Sequence, residues 1–244
     1  MARESDKDLQ RSPAAARQSG DVAAFLKRAA SLTPRPGGAR GRLIVGIDAT
    51  MSRQPTWDMA TQLQAEMFDE TASIGGLDVQ LIYFRGFGEC RASSWHSDPR
   101  DLARVMSGIR VAGGRTQIGK VLAHARKAAR TTDPERRVRA LVYIGDAMEE
   151  DVDALCAKAG ELGLLGLPVF LFHEGSDRNA ERAFREIARL SNGVYCRFTQ
   201  GSAAELRALL QGVAIYAAGG RAALEASGSR GAKRLLADMT DRHR

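Results

Sequence analysis

Residues 42–52 read Arg42-Leu43-Ile44-Val45-Gly46-Ile47-Asp48-Ala49-Thr50-Met51-Ser52. The run Leu43–Ile47 holds no polar side chain. Such a stretch suits a strand covered on both faces, as in the middle of a parallel sheet. It stops at Asp48. Beyond it, the alternation Asp48-x-Thr50-x-Ser52 sends every second side chain to one side of an extended segment. One short loop thereby presents three oxygen-bearing groups.

Outward from this strand, apolar runs and helical periodicities alternate. Pro55 suits the first turn of a helix that Trp57, Ala60, Leu63, Gln64 and Met67 extend to about Ile74, where Gly75-Gly76 ends it. Further strands are predicted at Val79–Phe84, Glu89–Trp95, Val138–Ile144, Leu167–Phe172 and Val194–Phe198. Gly86 and Gly88 before Glu89 make that strand an edge hairpin partner. Helices are predicted over Pro99–Ile109, Ile118–Arg130, Asp151–Leu164, Arg178–Leu190 and Ala203–Ala218. This order implies right-handed βαβ units. The fold expected is α/β: a Rossmann-like three-layer α/β/α arrangement, with a mostly parallel six-stranded sheet and helices on both faces.

Three parts follow from composition. Residues 1–40 form an N-terminal extension, polar and without periodicity to residue 20, with a short amphipathic helix at Val22–Leu32 and a Pro/Gly linker after it. Residues 41–219 form the α/β domain. Residues 220–244 read as a basic C-terminal tail with a weak helix after a Gly/Ser hinge.

The net charge of +7 over 244 residues suggests nucleic acid until it is mapped. Residues 1–40 hold eight Lys/Arg against four Asp/Glu, and residues 220–244 hold six against three. The segment between them holds 22 of each sign. Basicity therefore belongs to the two ends, and nucleic acid is a partner only through them. No apolar run approaches the ~20 residues a bilayer needs, so no membrane insertion is expected. The N-terminus has no apolar core of a secretory signal. Three dispersed cysteines, Cys90, Cys156 and Cys196, fit a reduced cytoplasmic setting.

In an open parallel sheet, ligands bind beyond the carboxyl ends of the strands. Asp48, Thr50 and Ser52 fall there. So do Thr116, after Gly113-Gly114-Arg115, and Asp146, after the fourth strand; His173-Glu174 ends the fifth. Two carboxylates and three hydroxyls on three loops make an all-oxygen set. Magnesium prefers such a set, with manganese or calcium as substitutes. The competing reading for Asp48, Thr116 and Asp146 is helix capping. The acidic run Glu149-Glu150-Asp151-Asp153 reads as a helix first turn, with modulation of the metal's surroundings as the alternative. His173-Glu174 reads as an ordinary strand end, with a partner-facing rim as the alternative. No His/Cys pair has zinc spacing, and Cys196 reads as a core thiol.

The set Asp48-x-Thr50-x-Ser52, Thr116 and Asp146 resembles the metal-ion-dependent adhesion site of von Willebrand factor A (vWA) domains over roughly residues 41–219. That site has an Asp-x-Ser-x-Ser segment after the first strand, a Thr from a later loop and an Asp after the fourth strand. Here Thr50 replaces the first Ser. The resemblance implies that Thr50, Ser52 and Thr116 ligate through hydroxyls and that Asp48 and Asp146 act mainly through waters. It also implies that an Asp or Glu of a partner protein completes the shell, without catalysis. The alternative is a magnesium-dependent phosphoryl-transfer enzyme. It lacks a P-loop motif, a nucleophile beside a base and a second Asp at position 50.

Overall fold

The computed structural model describes residues 40–50, 54–71, 76–199 and 202–241. The expected helix Val22–Leu32 lies outside these residues. Among them, the strands are β1 Gly41–Asp48, β2 Leu77–Arg85, β3 Glu89–His96, β4 Ala140–Gly145, β5 Val169–Glu174 and β6 Val194–Phe198. The helices are α1 Gln54–Thr71, α2 Pro99–Ser107, α3 Ile118–Ala129, α4 Val152–Leu164, α5 Arg178–Leu190, α6 Ala203–Ser227 and α7 Arg230–Asp241.

The strands form one sheet in the order β3-β2-β1-β4-β5-β6. All pairs are parallel except β2–β3, which is an antiparallel hairpin with a register shift between Gln80 and Ile82. The six-stranded α/β expectation holds. Strand order reverses between β1 and β4, and in open sheets such a switch point, at the carboxyl ends of the strands, is where ligands bind.

The apolar run of β1 is explained by its two neighbours in depth. Leu43, Val45, Ile47 and Ala49 pack in one core, with Trp57, Ala60 and Met67 of α1 and Leu206, Leu209 and Val213 of α6. Ile44 enters the other core, with Val121 and Leu122 of α3 and Leu155 of α4. Period-2 alternation thus buries successive residues on opposite faces. Each fully buried Leu, Ile or Phe contributes about 1.5–3 kcal/mol relative to exposure.

The C-terminus departs from the expected tail. Helix α6 breaks at Gly220, whose φ is 72°, close to where helicity was expected to end. The chain then resumes a helix to Ser227, turns through Gly228 and runs back as α7. Ala232 and Leu235 of α7 are fully buried and Met239 nearly so, in the same core as α6. The two helices meet closely enough that a Cβ on Gly231 would stand 2.0 Å from the Ala208 carbonyl oxygen. The apolar spacing at 232, 235 and 239 outweighs the basic residues between them. The polar side of α7 also reaches the sheet edge: Asp238 accepts a hydrogen bond from the buried Cys196 thiol at 3.1 Å, and Arg234 donates to the Arg197 carbonyl of β6. Cys196 is the core thiol expected, and burial raises its pKa well above the usual value.

Candidate metal centre

Asp48 closes β1 and is 2% exposed. Its Oδ1 accepts the Thr50 amide at 2.8 Å, a local turn that Asp favours two residues on. Thr50 is also buried. Ser52 lies outside the described residues. In the register of β1 on β4, Ile47 pairs with Ile144. Asp48 and Asp146 therefore emerge from adjacent parallel strands at one end of the sheet, one and two residues further on.

The loop before α3 brings Thr116 to the same end. Ala112 donates to the Ala49 carbonyl at 3.1 Å, which ties this loop to the Asp48–Thr50 segment. Arg115 donates to the Gly86 carbonyl at 3.1 Å. A Cβ on Gly114 would stand 2.2 Å from that same carbonyl oxygen, so Gly is required for the approach. The Thr116 hydroxyl accepts the Glu149 amide at 3.1 Å, and the Glu149 carboxylate accepts the Thr116 amide at 3.3 Å. Three loops are thus joined in a chain: 48–50 to 112, and 116 to 149. Four of the five expected residues meet at one end of the sheet.

Of the acidic run, Asp153 lies in the first turn of α4 as expected, but Glu149 and Glu150 do not. In fact Asp151 caps α4, accepting the Ala154 amide at 2.7 Å. The two glutamates reach across to α3, where the N-cap Gln117 makes no side-chain capping bond. Glu150 accepts the amides of Ile118 and Gly119. It supplies from another loop the acceptor that the first turn of α3 lacks. Thr116 is not the cap. A sequence separation of about thirty residues hid this clasp from local pattern reading.

Burial raises the Glu150 pKa above its ordinary value of 4.5, against the lowering effect of the Gly119 and Ile118 amides and of Lys158 and Lys120. A carboxyl whose folded pKa is raised stabilises most below the unfolded pKa, and that part is lost as pH rises through the folded one. Glu150→Gln removes this dependence. The variant should therefore gain on wild type in urea denaturation as pH is raised from 4.5 toward 7. A gap that stays constant, or closes the other way, would show that the amide bonds outweigh burial.

The strand-end pair His173-Glu174 is not a rim. Both residues are buried, at 0% and 2% exposure. Glu174 accepts the hydroxyl of Thr56 in the first turn of α1. His173 Nδ1 lies 2.8 Å from the Tyr195 hydroxyl. Burial lowers the His173 pKa, and a hydrogen bond with the Asp146 backbone opposes that shift.

No protein-family model matches this sequence, and no curated protein does. Solved structures do match its fold. The VWA domain of SpRpn10 aligns with a TM-score of 0.54 at 11% identity, over 68% of this chain and 95% of that one. The chain has the von Willebrand factor A fold. Proximal thread matrix protein 1 from the mussel byssus aligns with this vWA fold at a TM-score of 0.58 and 20% identity, over 74% of this chain and 48% of that one. The same byssus protein with a zinc-occupied MIDAS motif aligns at 0.56 and 19% identity, with the same coverage.

Among the described residues, no three His, Cys, Asp or Glu side chains cluster as ligands. An ion above this vWA sheet would have to draw on hydroxyls. The donor chemistry fits one: Asp48, Thr50 and Thr116 are oxygen-bearing, buried and placed at the switch point. A hydroxyl oxygen has two lone pairs. Thr116 can accept the Glu149 amide with one and ligate with the other.

Proposed function

We propose that this chain is a protein-binding module that captures an acidic residue of a partner through a divalent cation. Asp48, Thr50, Ser52, Thr116 and Asp146 would hold the ion. Magnesium is the first choice, with manganese or calcium as substitutes, because every donor is a hard oxygen. Hydroxyl ligands leave much of the ion's charge unneutralised, and a partner's Asp or Glu carboxylate would complete the shell.

The observation that carries this reading is the convergence of three hydrogen-bonded loops at the β1/β4 switch point, with Asp48 and Thr116 buried there. The zinc-occupied MIDAS motif of a protein of similar fold supports it. Thr50 stands where a phosphoryl-transfer site would want a second carboxylate, which favours binding over catalysis. The three dispersed cysteines, all unpaired in the structure, fit a reduced compartment such as the cytoplasm.

Manganese binding to the full chain, followed by electron paramagnetic resonance, tests the site directly. The expected result is one saturable ion per chain, displaced by magnesium and weakened by Thr116→Ala. Absence of saturable binding at millimolar manganese would sink the proposal.

A further inference from the structure

Two large apolar residues are strongly exposed among those described, Phe87 and Leu164. Leu164 ends α4 at the far end of the sheet from the candidate ion. Phe87 is different. It is 86% exposed at the tip of the β2–β3 hairpin, on the same side as Asp48 and Thr116.

The tip is held firmly. On one side of Phe87, the Gly86 carbonyl accepts the Arg115 amide at 3.1 Å. On the other, the Gly88 carbonyl accepts Lys120 Nζ at 2.8 Å. Gln117 Nε2 adds a bond to the Arg85 carbonyl at 3.2 Å. Every one of these donors lies on the segment 115–120 that carries Thr116. A turn of this kind needs Gly at its positive-φ position, here Gly86 at 61°, but nothing in it calls for an aromatic side chain. A rigid backbone that holds an aromatic ring out in water lowers the ordering cost of binding, since only two side-chain torsions remain to be fixed.

The charge around the tip has a sign. Arg110, Arg115 and Lys120 are exposed, and Arg85 is half-buried in a pair with Glu89 at 2.8 Å. Arg91 pairs with Glu89 as well, at 2.9 Å, so that carboxylate is shared by two guanidiniums and Arg110 and Arg115 stay exposed beside it. The carboxylates of the 146–151 loop are already engaged: Glu149 accepts the Thr116 amide, Glu150 the amides of Ile118 and Gly119, and Asp151 that of Ala154. The hairpin side is therefore the side from which an acidic segment would approach.

We infer that Phe87 and its basic surround form the second half of the docking surface, and that the partner segment pairs its metal-seeking carboxylate with an apolar side chain that covers Phe87. This inference rests on the proposed cation site. Because Gly86 bonds to the residue beside Thr116, the apolar residue should fall within about three positions of the carboxylate along an extended peptide.

A random peptide library displayed on phage and selected on the full chain in magnesium provides the probe; selected peptides are then measured by fluorescence anisotropy. The expected consensus is an Asp or Glu with an apolar neighbour inside that spacing. Phe87→Ser should weaken these peptides about tenfold or more, as loss of a central aromatic anchor does. It should leave manganese affinity unchanged. Leu164→Ser, equally exposed at the far end, should change neither. Peptides that bind Phe87→Ser as they bind wild type, a consensus without an apolar residue, or a library that yields no binder would each overturn the inference. So would self-association abolished by Phe87→Ser in sedimentation, which assigns the patch to a second copy, or Phe87-dependent oligonucleotide binding. Peptides that survive chelator yet lose affinity in Phe87→Ser would overturn the cation reading and leave the Phe87 surface standing.

Discussion

Asp48→Asn should leave the cation-free fold close to its wild-type stability and remove all the stabilisation that magnesium confers. Asn keeps an oxygen able to accept the Thr50 amide, the bond that Asp48 Oδ1 makes at 2.8 Å. It withdraws a negative charge from a position only 2% exposed. Keeping a carboxylate ionised at such a depth costs free energy that a bound cation offsets. A ligand at about a hundred times its Kd stabilises by about 2.7 kcal/mol. For a chain of this size that corresponds to a rise in thermal midpoint of about 5–10 °C. Differential scanning fluorimetry, with and without magnesium, should show this rise in wild type and none in the variant. If Asp48 served only the turn, both proteins would respond alike to magnesium; that outcome would remove Asp48 from the ligand set.

The second large effect concerns the C-terminus. Leu235→Ala should lower stability by about 2–5 kcal/mol, the range for deleting a buried Leu side chain. Leu235 is fully buried between α7 and the core that α6 and β6 share. Truncation before Gly228 should cost more, because Ala232 and Met239 are lost with it. Urea denaturation measures both. Alkylation gives an independent reading. In the intact chain Cys196 is buried, and its thiol is bonded to Asp238, with its pKa held well above the usual value. It should react much more slowly than the half-buried Cys90 and Cys156. Truncation should bring its rate toward theirs. A truncated chain of unchanged midpoint with Cys196 still protected would restore the tail reading of residues 220–244.

The α/β architecture was legible because each strand announces itself. Leu43–Ile47 is apolar on both faces, and the helices that follow carry Trp57, Leu63 and Met67 at helical spacing. The placement of the candidate residues was legible for the same reason: Asp48, Thr116 and Asp146 fall at strand and loop ends that the pattern locates. What joins them was not. The bonds of Glu149 to Thr116 and of Glu150 to the first turn of α3 link segments about thirty residues apart, and no local period encodes them. The seating of α7 was not legible because Ala232, Leu235 and Met239 mark an apolar face without saying what covers it; the close approach of Gly231 to α6 is what buries them. Phe87 sits in a turn flanked by two glycines, where pattern reading looks for backbone geometry and passes over the side chain.

The Arg234 bond to the Arg197 carbonyl has a consequence beyond stability. The neighbouring Phe198 carbonyl is taken by the Gly175 amide on the β5 side, so the carbonyl of Arg197 faces outward from the sheet. That outward row is what a foreign strand would need in order to add itself to β6. A guanidinium from α7 already occupies it, and β6 is only five residues long. The last helix therefore acts as a guard against edge-to-edge aggregation. Chains that lose it, by proteolysis or by local fraying, would be the ones to seed insoluble assemblies.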